Sequence, residues 1–479
     1  MDHQHTALYI DGCWQELADE EPIAVVSPTT EQQIGSVPRA GTRDVDTAVA
    51  AARRALRSPR WSAIGAAGRA QILLRLADEL EANAAERAAL TTIQNGMPIA
   101  VAAAAEGAAP VAILRYYATL ATEVPVEEHR ARIGGGGQTI VRREPIGVVA
   151  AIVPWNYPQA LTMFQLAPAL AAGCTVVLKP APQTTLDALE LAACAQRAGL
   201  PPGVLNVVTG AGDIGEYLVS HPGVHKVAFT GSTATGRLIG ELCGRLVRPV
   251  TLELGGKSAA IVLDDADLAS TVASLASVSL LNNGQTCHLS TRILAPRSRH
   301  DEVLDALAAM ASTLTVGDPL DPSTHIGPLV SDRQRQRVES YIQMGKDAGA
   351  VLAAGGGRGK QDAGWFVQPT VFGGVDNSSR IAREEIFGPV LAVIPYTSVD
   401  EAVALANDSE YGLGGTIWTS DTDKALEIAR RVETGSVGVN FYELDLGAPF
   451  GGVKASGLGR ELGPEGLAAY YQLKSIYLR

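Results

Sequence analysis

The sequence predicts an α/β fold built on parallel sheets, and two observations carry that prediction. Between Gly147 and Leu246, short apolar runs alternate with segments of helical periodicity. A second run of the same kind starts near Ala259 and continues to about Asn440. Alternation of this sort puts helices on both faces of a parallel sheet. At 479 residues the chain exceeds what one hydrophobic core covers, so two or three domains are expected.

The elements follow in order. The first forty residues alternate apolar and polar groups around turns such as Asp11-Gly12, which predicts short strands. Alanine-rich helical periodicity then covers Asp44 to Leu56, Ala67 to Leu90 and Ile99 to Ala121. Thr122 to Arg143 changes character: charged residues, then Gly134-Gly135-Gly136-Gly137, then β-branched residues. That pattern predicts a projecting hairpin with the glycines at its bend. Strands are expected at Gly147–Val153, Thr175–Leu178, Val204–Val208 and Val224–Phe229. Helices are expected between and after them at Leu161–Ala172, Thr185–Ala198, Asp213–Ser220 and Ala234–Leu246.

Composition narrows the function. Hydrophobic residues make up 46% and charged residues 19%, an ordinary globular balance, and 50 glycines supply many turns. The net charge of −12 argues against a general nucleic-acid binder, which needs a basic surface. Cys13, Cys174, Cys194, Cys243 and Cys287 include no C-x-x-C pair, and an odd number cannot all pair within one chain. Neither a metal site nor a disulfide framework is expected, and a reducing cytosol fits best. Met1-Asp2-His3-Gln4-His5 lacks the basic and apolar stretches of a secretory signal. The longest apolar runs, such as Ile146 to Pro154, fall far short of the ~20 residues that span a bilayer. A soluble, cytoplasmic protein with no membrane partner is the expectation.

Several segments are suited to chemistry. Cys287 ends Asn283-Gly284-Gln285-Thr286-Cys287, and Glu253 opens Glu253-Leu254-Gly255-Gly256-Lys257-Ser258. A thiol can attack a carbonyl and a carboxylate can later activate water. The flanking glycines permit tight turns and close approach of a ligand to the backbone. Taken singly, such residues are more often structural. Pro154-Trp155-Asn156-Tyr157-Pro158 ends a strand and bends sharply. Asn156 can donate its amide N–H to a developing oxyanion, or simply stabilise its own turn. Lys179-Pro180 follows a strand end, where open α/β sheets bind ligands, although a lone lysine there is usually solvated.

Gly210-Ala211-Gly212-Asp213-Ile214-Gly215 matches G-x-G-x-x-G between a strand and a helix. It comes after several strand–helix units and has no clear acidic ribose partner downstream, so it reads first as a glycine-rich turn lining a cleft. Phe229-Thr230-Gly231-Ser232-Thr233-Ala234-Thr235-Gly236-Arg237 leads from a strand into a helix. Ser232 or Thr233 can cap that helix, and its free N–H groups favour a phosphate. Glu384-Glu385-Ile386-Phe387-Gly388-Pro389 and the glycine-rich stretch from Pro449 to Glu461 read as loops. His288 adjoins Cys287, but neighbours on a turn often point apart, so no Cys–His pair is assigned.

Together, and in this order, these segments resemble the aldehyde dehydrogenase superfamily, from Tyr9-Ile10-Asp11-Gly12 to the C-terminal strand Tyr470–Leu478. The resemblance implies a Rossmann-like NAD(P)-binding domain from residues 1–121 and 144–251, and an α/β catalytic domain from 252–455. It also implies a small β oligomerisation element from 122–143 and 466–479, and a homodimer or homotetramer. By the same resemblance Cys287 is the nucleophile, Glu253 the general base and Asn156 the oxyanion donor, with the Cys287 backbone N–H as its partner. Lys179 would bind the adenosine ribose, Ser232 in the turn from Gly231 the pyrophosphate, and Glu385 the nicotinamide ribose beside Phe387. Ile152, Trp155, Gly212 and Leu254 would line the cofactor cleft.

The aldehyde pocket would include Tyr157, Leu161, Phe164, Thr286, His288 and Phe450. Mostly apolar and rich in rings, it suits a medium-sized hydrophobic or aromatic aldehyde. Tyr442-Glu443-Leu444-Asp445 adds acidic groups that would instead favour an amino-aldehyde. Glu253 favours hydrolysis over acyl transfer to coenzyme A. A non-redox thiol esterase would have no need of Lys179, Ser232 or Glu385, and a non-catalytic binding protein would leave Cys287, Glu253 and Asn156 unexplained together. Pro182 stands where many NAD-preferring relatives carry a glutamate that bonds the ribose hydroxyls and repels a 2′-phosphate. No obvious arginine replaces it, so NAD is expected, with NADP possible.

Overall fold

The structure is a computed structural model that describes residues 3–17 and 21–479. Met1, Asp2 and residues 18–20, part of the stretch predicted as N-terminal strands, lie outside the described residues. Two large sheets organise the chain. In the first, Val250–Glu253, Lys226–Thr230, Val148–Ile152, Thr175–Lys179 and Leu205–Val207 lie side by side and parallel. Gly457–Leu458 closes one edge antiparallel; Ala7–Ile10 and then Cys13–Glu16 close the other. After those two N-terminal strands, the chain lays down the central strand Val148–Ile152 and builds outward to Leu205–Val207. It then crosses back to lay Lys226–Thr230 on the other side. Such a reversal opens a crevice beyond the carboxyl ends of the strands, where ligands bind.

The second sheet runs Val351–Ala354, Thr370–Gly373, Val390–Tyr396, Ser290–Pro296, Ser258–Val262, Gly415–Trp418 and Gly438–Val439. All its pairings are parallel except that of Val351–Ala354. Leu254 to Lys257 carry the chain from the carboxyl end of Val250–Glu253 to the amino end of Ser258–Val262. Because the neighbouring strands are parallel, the segments entering Ser290 and Val390 arrive at that same edge. The carboxyl edge of one sheet is thereby joined to the amino edge of the other.

Helix Pro158–Ala172 is buried along its whole length. It packs between the first sheet and the helices Gly65–Ala82 and Ala109–Glu123. Burying side chains such as Leu166 and Leu170 contributes about 2 kcal/mol each, and Pro158 sits in the first turn, where its missing N–H costs nothing. The helix predicted over Ala67–Leu90 is two, Gly65–Ala82 and Ala84–Asn95. The break falls at Asn83, whose amide donates to the Glu79 carbonyl at 3.1 Å and so competes with the helix ladder.

Ile99–Glu123 is long and apolar enough, by length and composition, to cross a bilayer. This corrects the expectation that no apolar run approaches that length. Here it packs inside the protein, with Ile113, Leu114 and Tyr117 fully buried. Its π turn, Ala103–Ala108, receives the Arg87 guanidinium on the carbonyls of Glu106 and Gly107 at 3.0 and 2.8 Å. The expected hairpin forms from Glu127–Ala131 and Gln138–Pro145, with Gly134 to Gly137 in its turn. Tyr471–Leu478 pairs antiparallel along Gln138–Pro145, Tyr471 opposite Pro145 and Leu478 opposite Gln138.

Candidate active site

Cys287 follows a turn in unusual backbone. Asn282, Asn283 and Gly284 lie in the left-handed region, with φ of +50°, +61° and +75°. Asparagine tolerates that region better than other residues bearing a side chain. At Gly284 a Cβ would collide with the Gly388 carbonyl, so glycine is required. The Asn283 amide donates to the carbonyls of Gly96 and Pro328, both at 2.9 Å, and its oxygen accepts from Gly327 N–H at 2.6 Å. Gln285 Oε1 accepts from Val330 N–H at 3.0 Å. The half-buried thiol is therefore set by a turn pinned on several sides.

Glu253 ends the first sheet's edge-proximal strand and is 2% exposed, and neither of its carboxylate oxygens makes a hydrogen bond of ordinary geometry. Burial, and then the nearby Glu461, hold its carboxyl well above the ordinary range, with Arg460 and a weak approach of the Gly452 N–H opposing. Glu461 is itself buried with both oxygens unpartnered, and burial pushes it up to about 8. A raised carboxyl holds its proton more firmly, and once ionised it is a stronger base, suited in a dry site to taking a proton from water. Burial also raises the Cys287 thiol, and the charges of Glu385 and Glu253 raise it further. An unperturbed thiol ionises near ~8.5, so little thiolate stands at neutral pH in the free enzyme. The expected result is a kcat/KM that climbs from pH 6.5 to 9.5, by up to about tenfold per unit. A flat profile over that range would refute a thiol held above its ordinary pKa as the reacting group.

Asn156 reaches this turn from the carboxyl end of Val148–Ile152. Its Nδ2 donates to the Gln285 carbonyl at 3.0 Å, and an amide nitrogen carries a second N–H. Next along, the Tyr157 hydroxyl is 2.7 Å from Thr286 Oγ1. Leu161 and Phe164 extend from the same helix, and the Phe164 ring meets Phe450 edge-on at 6.3 Å. Phe450 also meets His288 at 6.2 Å. His288 stacks on Tyr442 at 4.8 Å, and burial lowers its imidazole to about 4, so it is neutral. Tyr442 completes a pocket wall that the sequence placed only within an acidic segment. Exposure alternates there: Tyr442, Leu444 and Leu446 turn inward, while Glu443 and Asp445 are exposed. The acidic groups of that segment thus point to solvent.

On the other side lie the predicted cofactor residues. Ile152, Lys179, Thr230 and Glu253 end four adjacent strands. Lys179 is not a solvated lysine: it is 5% exposed, donates to the Pro180 carbonyl at 3.0 Å, and burial lowers it to about 8 against the pull of Asp213. Helix Gly212–Ser220 begins beside it, with Gly215 against its methylenes. Asp213 pairs with Arg39 at 2.5 Å, which puts at this end of the crevice an arginine the sequence gave no reason to place there. Ser232 caps Thr233–Arg245, accepting from Thr235 N–H at 3.3 Å, while other N–H groups of the first turn have no intrahelical acceptor. The strand-to-helix turn is held by Gly231 N–H on the Glu253 carbonyl at 3.0 Å, and Leu254 packs against Gly236.

Glu385 accepts from Gly256 N–H at 3.0 Å, and a Cβ at Gly255 would lie 2.6 Å from its other oxygen. Burial raises this carboxyl to about 7, opposed by the Gly256 N–H, Arg337 and Lys257. Trp155 and Phe387 meet edge-on at 5.4 Å. A narrow cleft runs beside Cys287, lined by Lys257, Thr286, Glu385 and Phe387 among others. A helix N-terminus, a buried cation and a buried carboxylate fit the phosphates and ribose hydroxyls of a dinucleotide. Ser456, which the sequence left in a loop, pins the glycine turn by donating to the Gly255 carbonyl at 2.7 Å.

Comparison with known proteins bears on the family. The chain is 57% identical over 478 residues to geranial dehydrogenase of Castellaniella defragrans, covering 100% of this chain and 99% of that one. It is 41% identical over 478 residues to phenylacetaldehyde dehydrogenase of Pseudomonas fluorescens, covering 98% and 95%. Its structure superposes on the crystal structure of Mycobacterium tuberculosis aldehyde dehydrogenase complexed with NAD+ with a TM-score of 0.98, at 45% identity and coverage of 100% and 99%. Residues 14–476 match the family pattern itself, and the chain belongs to the aldehyde dehydrogenase family.

Proposed function

We propose that this oxidoreductase converts a hydrophobic or aromatic aldehyde to its acid, with Cys287 as nucleophile and NAD as the favoured hydride acceptor. One observation carries the reading: the Asn156 amide bonds the turn that carries Cys287, and the same thiol feels the charge of the buried Glu253. The Cys287 thiolate adds to the aldehyde carbon, forming a C–S bond and a tetrahedral oxyanion. Asn156 Nδ2 and the Cys287 N–H hold that oxygen. When bound, the nicotinamide would supply a two-electron acceptor for the hydride of the former aldehyde C–H, which would leave a thioester on Cys287. In its ionised form Glu253 takes a proton from water as it attacks the thioester carbon, the C–S bond breaks, and acid and thiolate separate.

Lys179 and Glu385 would hold the two riboses, Ser232 and the helix it caps the pyrophosphate, and Ile152, Trp155, Gly212, Gly231, Leu254 and Phe387 the walls of the cleft. Support for an apolar substrate comes from the rings of Phe164, Phe450, His288 and Tyr442, and from the outward-facing Glu443 and Asp445. Names of relatives that act on geranial and phenylacetaldehyde point the same way. Expected kcat/KM is highest for terpenoid and arylalkyl aldehydes and at least about tenfold lower for amino-aldehydes. Reduced-cofactor formation across an aldehyde panel, with NAD and NADP side by side, tests this; a preference for amino-aldehydes would overturn it. Pro182 removes the carboxylate that would repel a 2′-phosphate, so NADP is the acceptor to compare.

The cofactor and catalytic domains are proposed to divide after Glu253 rather than before Leu252, because Val250–Glu253 is a strand of the first sheet. The sheet of Glu127–Ala131, Gln138–Pro145 and Tyr471–Leu478 is the proposed oligomerisation element, with Leu473 and Tyr477 68% and 75% exposed on it. An exposed edge strand tends to find a partner. The expected mass in solution is that of a homodimer or homotetramer, and Leu473→Asp is expected to lower it; light scattering that gives a 50.0 kDa monomer for the wild type would exclude the element. A cytoplasmic location remains the reading of the cysteine pattern, with five free thiols.

A further inference from the structure

The turn that carries Cys287 and the turn that carries Asn156 are joined by reciprocal bonds, and one member of the exchange, Asn282, has no place in the chemistry above. Asn282 Nδ2 donates to the Asn156 backbone carbonyl at 3.0 Å. In return Asn156 Nδ2 donates to the Gln285 carbonyl at 3.0 Å. Asn95 supports the same strand end, donating to the Trp155 carbonyl at 3.1 Å and the Asn156 carbonyl at 3.3 Å. Its own oxygen is fixed by Met97 N–H at 2.9 Å. Asn282 and Asn95 are each 1% exposed, so no water competes freely for these bonds.

The geometry points to Asn282 as a positioning residue: its amide holds the Asn156 peptide so that the Asn156 side-chain amide and the Cys287 N–H stay aimed at the same oxygen. The inference rests on the reading of Asn156 as oxyanion donor. An oxyanion donor works only within a narrow range of distance to the charge that develops, so a small displacement of its backbone is felt in the transition state. The nucleophile and the donor come from different sheets, and Asn282 ties the position of one to the other. The left-handed backbone at Asn282, φ +50° and ψ +48°, delivers the side chain to that carbonyl.

A merely structural role would be to tolerate the left-handed turn. Two substitutions separate the roles. Asn282→Gly keeps the backbone freedom and removes the amide. Asn282→Asp keeps size and turn tolerance but sets a carboxylate oxygen against the Asn156 carbonyl. For both, kcat for aldehyde oxidation is expected to fall about 10- to 100-fold with the aldehyde KM changed less than about threefold. Alkylation of Cys287 by iodoacetamide, which develops no oxyanion, is expected within about twofold of wild type. Asn156→Ala is expected to lower kcat about 10²–10³-fold. The double variant Asn156→Ala/Asn282→Gly should be no slower than Asn156→Ala alone, because Asn282 acts through Asn156.

An Asn282→Gly enzyme with wild-type kcat, beside an impaired Asn156→Ala, overturns the positioning role and leaves the oxyanion reading intact. Alkylation that falls in parallel with kcat, or additive losses in the double variant, also overturns it. An unimpaired Asn156→Ala overturns both. Should the glycine variant fail to fold by circular dichroism, Asn282→Asp carries the same comparison.

Discussion

Cys287→Ala is expected to abolish aldehyde-dependent formation of reduced cofactor, with kcat down by at least about 10⁴-fold. A nucleophile that forms the covalent intermediate has no substitute once removed. None of the other cysteines can stand in: Cys174, Cys194 and Cys243 are buried within the cofactor-side half, and Cys13 is exposed on an edge strand of the first sheet. The substitution deletes one half-buried sulfur from a turn anchored by other side chains, so stability should stay within about 1 kcal/mol of wild type. The dinucleotide residues are untouched, so cofactor affinity by titration should change less than about twofold. Residual turnover above about 1% of wild type, from protein free of wild-type contamination, would remove Cys287 from the role of nucleophile. Loss of cofactor binding together with activity would instead mean that the turn had collapsed.

How much of this was legible in the sequence depends on where the signal was stored. Cys287 and Glu253 stood out because each sits beside glycines, and the structure shows what those glycines serve: Gly284 clears the Gly388 carbonyl and Gly255 clears Glu385. The strand–helix alternation was legible for the same local reason, apolar periodicity. Groups whose roles arise from distant partners were not. Glu461 lies beside Glu253 only because Gly457–Leu458 returns to pair with Val250–Glu253. Arg39 meets Asp213 across the chain, and Lys179 is buried by the helix that starts at Gly212. Tyr442 is readable in principle, since Tyr442, Leu444 and Leu446 alternate with exposed residues, but the two carboxylates between them mask the apolar face. The length of Ile99–Glu123 was legible as helical periodicity, but its apolarity was hidden by alanines, which are weakly apolar one by one.

Glu253→Gln is expected to separate the two halves of the reaction. Acylation of Cys287 does not use the Glu253 carboxylate as drawn here, so the variant should still release about one equivalent of reduced cofactor per site in a burst. Hydrolysis then lacks its base, and steady-state turnover should fall about 10²–10⁴-fold. The thioester should accumulate, visible as an acyl mass on the peptide containing Cys287. Stability offers an independent check. Glu253 is buried with neither oxygen in a hydrogen bond of ordinary geometry, and its carboxyl is raised above the ordinary value, so the folded state holds a proton that the unfolded chain has already released. Its contribution to stability is therefore greatest below about pH 4.3 and declines as pH rises toward the raised folded value. Glutamine is neutral at every pH, so the melting temperature of the variant should exceed that of wild type by a margin that grows with pH across that window. Steady-state turnover within about threefold of wild type with no burst would assign deacylation to another group. The buried Glu461, whose charge helps to raise the same carboxyl, is then the residue to remove next.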